Sequence, residues 1–431
     1  MALPCYDFCG IRIKNALMGV HMPGPGFEWI GEEEEKEVLE VLRGRWLFRY
    51  GDDKDPAFKR KVKTLEDMIE QSFGTKHALA VSSGTAALIT VLAALGIGPG
   101  DEVIVPGYTF IASISSVILA RAVPVLAEID ESLTLDPHDI EHRITPRTRA
   151  IIAVHMLGNP CDLQRLQAIA AKHHLILIED AAQAFGASYR GRRLGTIGQI
   201  GMFSFNIFKT INAGDGGMVV TDDDELYLRA FGYHDHGHFP SRTGAEIGHR
   251  SIIGQNYRMN ELTAAVLVAQ FRRLEEITQR LRYLKTLFRR QIEGLPGLQF
   301  RRINDPAGES QTLLTVLFPN AELAARVAAK LGTTTVSQSG WHVYSNMEQI
   351  LTKRLTASRG CPFDCASYPC HQEYGRGMLP RTDDILSRAI NLSVGVVDRG
   401  LGAGFGIHPH SSDEEVEQKA AEFARAVEEV M

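Results

Sequence analysis

One lysine poses the first chemical question. In SFNIFKTINAGDGGMVVTDD, residues 204–223, Lys209 stands five residues after Ser204 and just ahead of a Gly-Asp-Gly-Gly turn. A lysine ordinarily lies in water and needs no special neighbours. This one is flanked by Phe205, Ile207, Phe208 and Ile211, so part of the stretch is expected to be buried. Burial disfavours the ammonium, lowers its pKa and leaves a nucleophilic amine. The glycines that follow supply the positive φ that folds the chain back into MVVTDD.

Two other stretches end apolar runs in polar groups. In SSGTAAL, Ser82 and Ser83 close a strand while Gly84 and Thr85 open a helix; N–H groups at a helix start attract an anion. Simple N-capping by serine accounts for the same letters. In LILIED, Asp180 closes a strand, where a carboxylate is poorly solvated and needs a cation or N–H donors. It either serves a protonated ring nitrogen or caps the AAQAFG segment, and Gln183 points the same way if that segment is helical. Ser204 can donate to the same anion as Gly84 and Thr85. An anion cradle, a carboxylate for a ring nitrogen and a buried amine are together what pyridoxal 5'-phosphate (PLP) requires. A dinucleotide-binding reading fails, because no G-x-G-x-x-G follows a strand.

These groups need a scaffold that brings strand ends together. Near-continuous apolar strands alternating with amphipathic helices predict an α/β unit with a mostly parallel sheet, ending near residue 222. Ligands of such sheets bind at the carboxyl ends of the strands. GEEEEKEVLEVLR, residues 31–43, predicts a helix with carboxylates at its positive end. The helical stretch from Met259 to Leu295 is long enough to bridge domains, and the mixed strands and helices beyond it predict a smaller α+β domain. The expected division is an N-terminal arm over 1–26, with PGPG at 23–26 as a linker, a large domain over 27–275 and a small C-terminal domain over 276–431.

Composition narrows the partners. The 431 residues are 44% hydrophobic and 23% charged with a net charge of −6, and no stretch concentrates Lys and Arg. Nucleic acid and anionic membrane surfaces are therefore not expected partners. No apolar run reaches the ~20 residues that span a bilayer, and the N-terminus lacks a signal-peptide core, so a cytoplasmic protein is expected. Six cysteines make no disulfide framework at this length. Cys361, Cys365 and Cys370 match no usual zinc spacing, although His371 could offer a fourth ligand. They are read as ordinary loop cysteines, and no metal is expected.

SSGTAAL, EDAAQAFGA, SFNIFKTINAGDGGMVVTDD and GQNYRMNEL resemble, in order and spacing, the DegT/DnrJ/EryC1/StrS family of sugar aminotransferases, over about residues 27 to 400. The resemblance implies a PLP-dependent transferase of fold type I, a homodimer with active sites at the subunit interface. It implies that Lys209 condenses with the cofactor and shuttles the substrate proton, that Asp180 pairs with the ring nitrogen and that Gln183 bonds the ring hydroxyl. Gly84, Thr85 and Ser204 would hold the phosphate, Phe110 would stack on the ring, and Asn256 would reach the neighbouring subunit's cofactor phosphate. Asn206 and Asp215 depart from the His and Glu of many members, and both changes are mild. A dehydratase branch replaces the lysine with histidine, so Lys209 argues for transamination.

Within the family, LFRYG (47–51), YHDHGH (233–238), GCPF (360–363) and LPRTDDILSRAI (379–390) are similar to 8-amino-3,8-dideoxy-octulosonate transaminases. The implied reaction moves an amino group from glutamate or glutamine to a keto or aldehyde carbon of a sugar, an octulosonate or a nucleotide-linked one, by a ping-pong mechanism. The alternatives are a PLP-dependent sugar dehydratase or lyase and a PLP-binding regulatory protein without turnover. Candidate substrate contacts are Arg45, Tyr50, His236, Arg258 and His342, with Trp46, Arg49, His234 and His238 beside them.

Overall fold

The computed structural model describes residues 24–241, 243, 247–356, 360–365, 368, 370 and 372–431. Most of the arm and His371 lie outside the described residues. Apolar five- to seven-residue runs form the large sheet: β1 (His77–Val81), β2 (Glu102–Pro106), β3 (Val123–Ala127), β4 (Thr148–Val154), β5 (Ile176–Asp180), β6 (Ile200–Ser204) and β7 (Gly217–Thr221). Their order is β1-β7-β6-β5-β4-β2-β3. Only β7 runs against the rest. Successive side chains point to opposite faces, so Ala78 and Ala80 join one apolar core while Leu79 and Val81 join the other. Both faces are buried, which is why these strands read as unbroken apolar runs rather than alternating ones.

A second, four-stranded sheet follows: β8 (Gln299–Phe300), β9 (Leu313–Leu317), β10 (Ala389–Ser393) and β11 (Phe405–Gly406), paired in that order. The protein is thus α/β, with a large mostly parallel sheet and a smaller C-terminal sheet. The helical stretch after Met259 is not continuous. It divides into Glu261–Arg272 and Leu274–Ile292 at Arg273 (φ −100°, ψ 4°), whose guanidinium bonds the Trp29 carbonyl at 2.6 Å and pairs with Glu34. Residues 24–26 also differ from a linker. Pro25 and Gly26 are buried, the Gly26 N–H donates to the Lys209 carbonyl at 3.4 Å, and a Cβ on Gly24 would meet the Phe208 backbone at 2.5 Å.

Parallel strands put all their carboxyl ends on one edge. That edge receives Ser82–Thr85 after β1, Gly107–Phe110 after β2, His155–Gly158 after β4, Asp180 at the end of β5 and Ser204 at the end of β6. Because β7 is antiparallel, it starts where β6 stops, with Ser204 opposite Gly217. The connection carrying Lys209 therefore stays at the same edge.

Candidate active site

At that edge lies a cavity of about 540 Å³ lined by Gly84, Thr85, Phe110, Asp180, Gln183, Ser204, Lys209 and His342. Seven of these are the proposed cofactor and catalytic residues of this chain, and one is a substrate candidate. Lys209 borders the cavity with its amine desolvated, and burial lowers its pKa to about 8 against the opposing charges of Asp180 and Asp398. An amine in that range is neutral in part near pH 7 to 8, as a nucleophile requires.

Asp180 is held from two sides. Its Oδ2 accepts from the Ser113 hydroxyl at 2.7 Å and its Oδ1 from the Ala182 N–H at 3.1 Å. Ser113 in turn bonds Thr109 at 2.7 Å. The segment after Asp180 is a pair of turns, not a helix, so Asp180 caps no helix. Gln183 reaches the cavity from the first of these turns, with its Oε1 accepting from the Leu157 N–H at 2.9 Å. Beneath them His155 and Glu179 are fully buried and 3.0 Å apart. Glu179 also accepts from the N–H groups of Gly195, Ile197 and Gly198. Burial alone would raise the Glu179 pKa, but His155 and these donors outweigh it and hold it low.

The helix Gly84–Ala94 opens at the cavity. Ser83 caps it, accepting from the Ala86 N–H at 3.1 Å, so capping is real. Capping still leaves the first N–H groups, at Gly84 and Thr85, outside the helix's own bonding. A Cβ on Gly84 would lie 2.6 Å from the Ser204 Cβ and 2.9 Å from its Oγ. Only glycine lets the helix start approach that hydroxyl. This cradle, the paired carboxylate and the desolvated amine match the donor set of PLP in type.

Phe110 leaves 40% of its surface exposed beside the cavity. Its ring lies 5.4 Å from His342 and, nearly parallel, 6.4 Å from Trp341. The Thr109 and Ile111 N–H groups donate to the His342 and Trp341 carbonyls at 2.9 Å each, which ties this later segment to the strand end. Burial, together with the Lys209 charge, drops the His342 pKa to about 3, so its imidazole is neutral, and its Nδ1 lies 3.0 Å from the Ser339 hydroxyl.

The remaining candidates do not line this cavity. Asn256 is exposed and bridges Asp235 through the backbone. Arg258 pairs with Asp235, which also accepts from the Tyr50 hydroxyl at 2.8 Å. Arg45 is an exposed helix cap with φ 61°, and His236 takes φ 52°. Arg49 is interior, 2.9 Å from Glu66 and 3.1 Å from the ring of buried His234. The aromatic-basic loop is thus a packed network within the chain, with Trp46, Leu47 and Phe48 left exposed.

Sequence reasoning missed Ser113, Thr109, Trp341 and Asp398, all of which line the cavity. Burial raises the Asp398 pKa, with the Gly400 N–H and the Lys209 charge opposing. Its signal was the aspartate that closes the mostly apolar stretch AINLSVGVV. The loop cysteines also differ from expectation: Cys361 and Cys365 are joined in a disulfide, while Cys370 is a thiol. Among the described residues there is no cluster of three or more His, Cys, Asp or Glu able to hold a metal. No described helix is long and apolar enough to cross a membrane.

The chain matches the model of the DegT/DnrJ/EryC1/StrS aminotransferase family over residues 28–396. It is 41% identical over 244 residues to GDP-perosamine synthase of Caulobacter vibrioides, covering 56% of this chain and 62% of that protein. GDP-perosamine synthase of Escherichia coli O157:H7 is 35% identical, over 67% of this chain and 76% of its own length. Among solved structures, S. venezuelae DesV in complex with a ketimine intermediate superposes with a TM-score of 0.72 at 31% identity, covering 92% of this chain and 94% of that one. None of these three names an octulosonate. From the match over most of its length, the chain belongs to the DegT/DnrJ/EryC1/StrS aminotransferase family.

Proposed function

We propose that the protein is a PLP-dependent aminotransferase that moves an amino group from glutamate or glutamine to a carbonyl carbon of a sugar. The observation that carries this is the single cavity in which the Lys209 amine, at a pKa of about 8, faces Asp180 across the strand ends. PLP, when bound, supplies an electron sink for the carbanion formed at the substrate carbon. Lys209 would take and return the substrate proton, since its amine, neutral in part near pH 8, stands at the cavity wall. Asp180, oriented by the Ser113 hydroxyl and the Ala182 N–H, would pair with the ring nitrogen. Gln183 would donate to the ring oxygen, and the Gly84 and Thr85 N–H groups with Ser204 would hold the phosphate. Phe110 would cover a ring face and, with Trp341, would shield the reacting atoms from water.

The acceptor is a nucleotide-linked keto sugar, as the names of the two GDP-perosamine synthases suggest, and the octulosonate resemblance supplies the second candidate. We place the large domain at 27–275 and the small one at 276–431. The small one contributes Thr312, Trp341, His342 and Asp398 to the cavity. The enzyme is a homodimer in this reading. Trp46, Leu47, Phe48 and Ile253 are exposed apolar side chains on the segments that carry Arg45, Tyr50 and Asn256, so a second copy covers them and receives Asn256.

The test is the visible spectrum of the purified protein reconstituted with PLP, before and after L-glutamate, beside Lys209→Ala. A yellow band that bleaches with glutamate and needs Lys209 is expected. The aminated form is then offered GDP-linked keto sugars and an octulosonate aldehyde. Failure to take up PLP refutes the reading; a band indifferent to glutamate and glutamine favours the lyase.

A further inference from the structure

Gln183 sits on a turn, so something outside that turn must fix its amide. A backbone N–H can only donate. The 2.9 Å bond from the Leu157 N–H therefore assigns the amide oxygen to Leu157 and leaves both amide N–H donors for other partners. Leu157 itself occupies the left-handed region (φ 54°, ψ 32°) inside the short turn Met156–Gly158, a conformation non-glycine residues avoid. Its hold on Gln183 depends on that turn keeping its shape.

The restraint comes from beside the second sheet. Arg301, 3% exposed, donates from Nη1 to the Met156 carbonyl at 3.2 Å and from Nη2 to the Leu157 carbonyl at 2.9 Å. The same Nη2 lies 2.7 Å from Glu309 Oε1, which also accepts from Lys285 Nζ at 2.5 Å. Burial alone would raise the Glu309 pKa, but the two cations outweigh it and keep the carboxylate charged. A planar guanidinium spans two consecutive carbonyls and a carboxylate, whereas a lysine amine is a single point on a flexible stem.

We propose that Arg301 is a positioning residue: by clamping Met156 and Leu157 it fixes which way the Gln183 amide faces in the cavity. The inference rests on the PLP reading above, in which Gln183 donates to an oxygen of the cofactor ring. Neither Arg301 nor Glu309 lines the cavity, so their effect travels through the backbone of one turn.

The experiment compares wild type, Arg301→Lys, Gln183→Leu and the double variant, each full-length and reconstituted with PLP. It measures the PLP dissociation constant, the pH midpoint of the bound cofactor's visible band, and Tm. Arg301→Lys is expected to loosen PLP about tenfold and to move the midpoint in the same direction as Gln183→Leu. The double variant is expected to move it no further than Gln183→Leu alone, since both changes break one path. A lowered Tm with the midpoint at its wild-type value assigns Arg301 a structural role only and overturns the proposal; so does simple addition of the two effects. If Arg301→Lys fails to fold, Glu309→Gln loosens the same guanidinium and must shift the midpoint in the same direction. A wild type that binds no PLP sinks the functional reading and this inference together. A wild type that binds PLP while Gln183→Leu leaves the midpoint unmoved sinks the inference alone.

Discussion

Replacing Lys209 by methionine should make the cofactor-free protein more stable near neutral pH and reverse part of that gain in alkali. The side chain keeps its length and loses its charge. The ammonium pKa falls from 10.5 to about 8 because burial penalises the charge more than Asp180 and Asp398 stabilise it. Between those two values the unfolded chain holds the proton and the folded one does not, so wild-type stability rises with pH through that window. Below pH 8 both states are protonated and the native state carries the full desolvation penalty. From pH 7 to 9.5 the wild type should gain about 2 kcal/mol on the Lys209→Met variant. That is an upper figure, since water reaches the open cavity. Lys285, also lowered to about 8 by burial, titrates in both proteins and cancels. Urea denaturation of both proteins at the two pH values, after removal of bound cofactor, measures the difference directly. A gap that does not change with pH means the amine is hydrated in the native state. A gap that moves the other way means Lys209 is an ordinary ion-paired lysine, and its assignment as the nucleophile fails.

Asp180→Asn preserves volume and an acceptor for the Ala182 N–H but removes the charge; kcat at saturating PLP should fall at least about a hundredfold, and a fall of less than about tenfold contradicts the ring-nitrogen role. Gly84→Ala puts a methyl 2.6 Å from the Ser204 Cβ, so PLP affinity measured by equilibrium titration should weaken and stability should drop by about 1 to 3 kcal/mol; unchanged affinity would remove the helix start from the phosphate site. Trp341, 60% exposed at the rim, should give an alanine variant with raised KM for the sugar and an unchanged rate of bleaching by glutamate; slowing of both places the ring in the chemistry itself.

The sequence made legible those groups whose place is set by a strand end. Asp180 ends an apolar run whose length alone fixes it at the sheet's edge, and Ser204 does the same one strand on. Lys209 could be located because glycines at 214, 216 and 217 force the reversal into β7. Gln183 borders the cavity without the helix that the sequence reading made its condition: the Leu157 N–H, 26 residues away in sequence, orients its amide. Ser113 and Thr109 were missed because their importance lies in the 2.7 Å bonds reaching Asp180, a contact between segments that no local pattern encodes. Trp341 and Asp398 belong to chain that returns to the edge after the whole first sheet is built.

The substrate candidates show the converse limit. Arg45, Tyr50, His236 and Arg258 were chosen for their chemistry, as Lys209 was, but no strand end fixes where they point. In the folded chain, Asp235 takes both the Arg258 guanidinium and the Tyr50 hydroxyl, and Glu66 takes Arg49. These pairs stiffen the loop at 44–51 against the segment at 255–258 and hold Trp46, Leu47 and Phe48 outward. A loop built only to touch its own chain's substrate would turn its aromatic side chains towards its own cavity. One that holds apolar side chains away from it, beside an exposed Asn256, has the form of a surface completed by a second copy. In the proposed dimer the polar network would act on the reaction through assembly, by setting the shape of the face on which the neighbouring subunit rests.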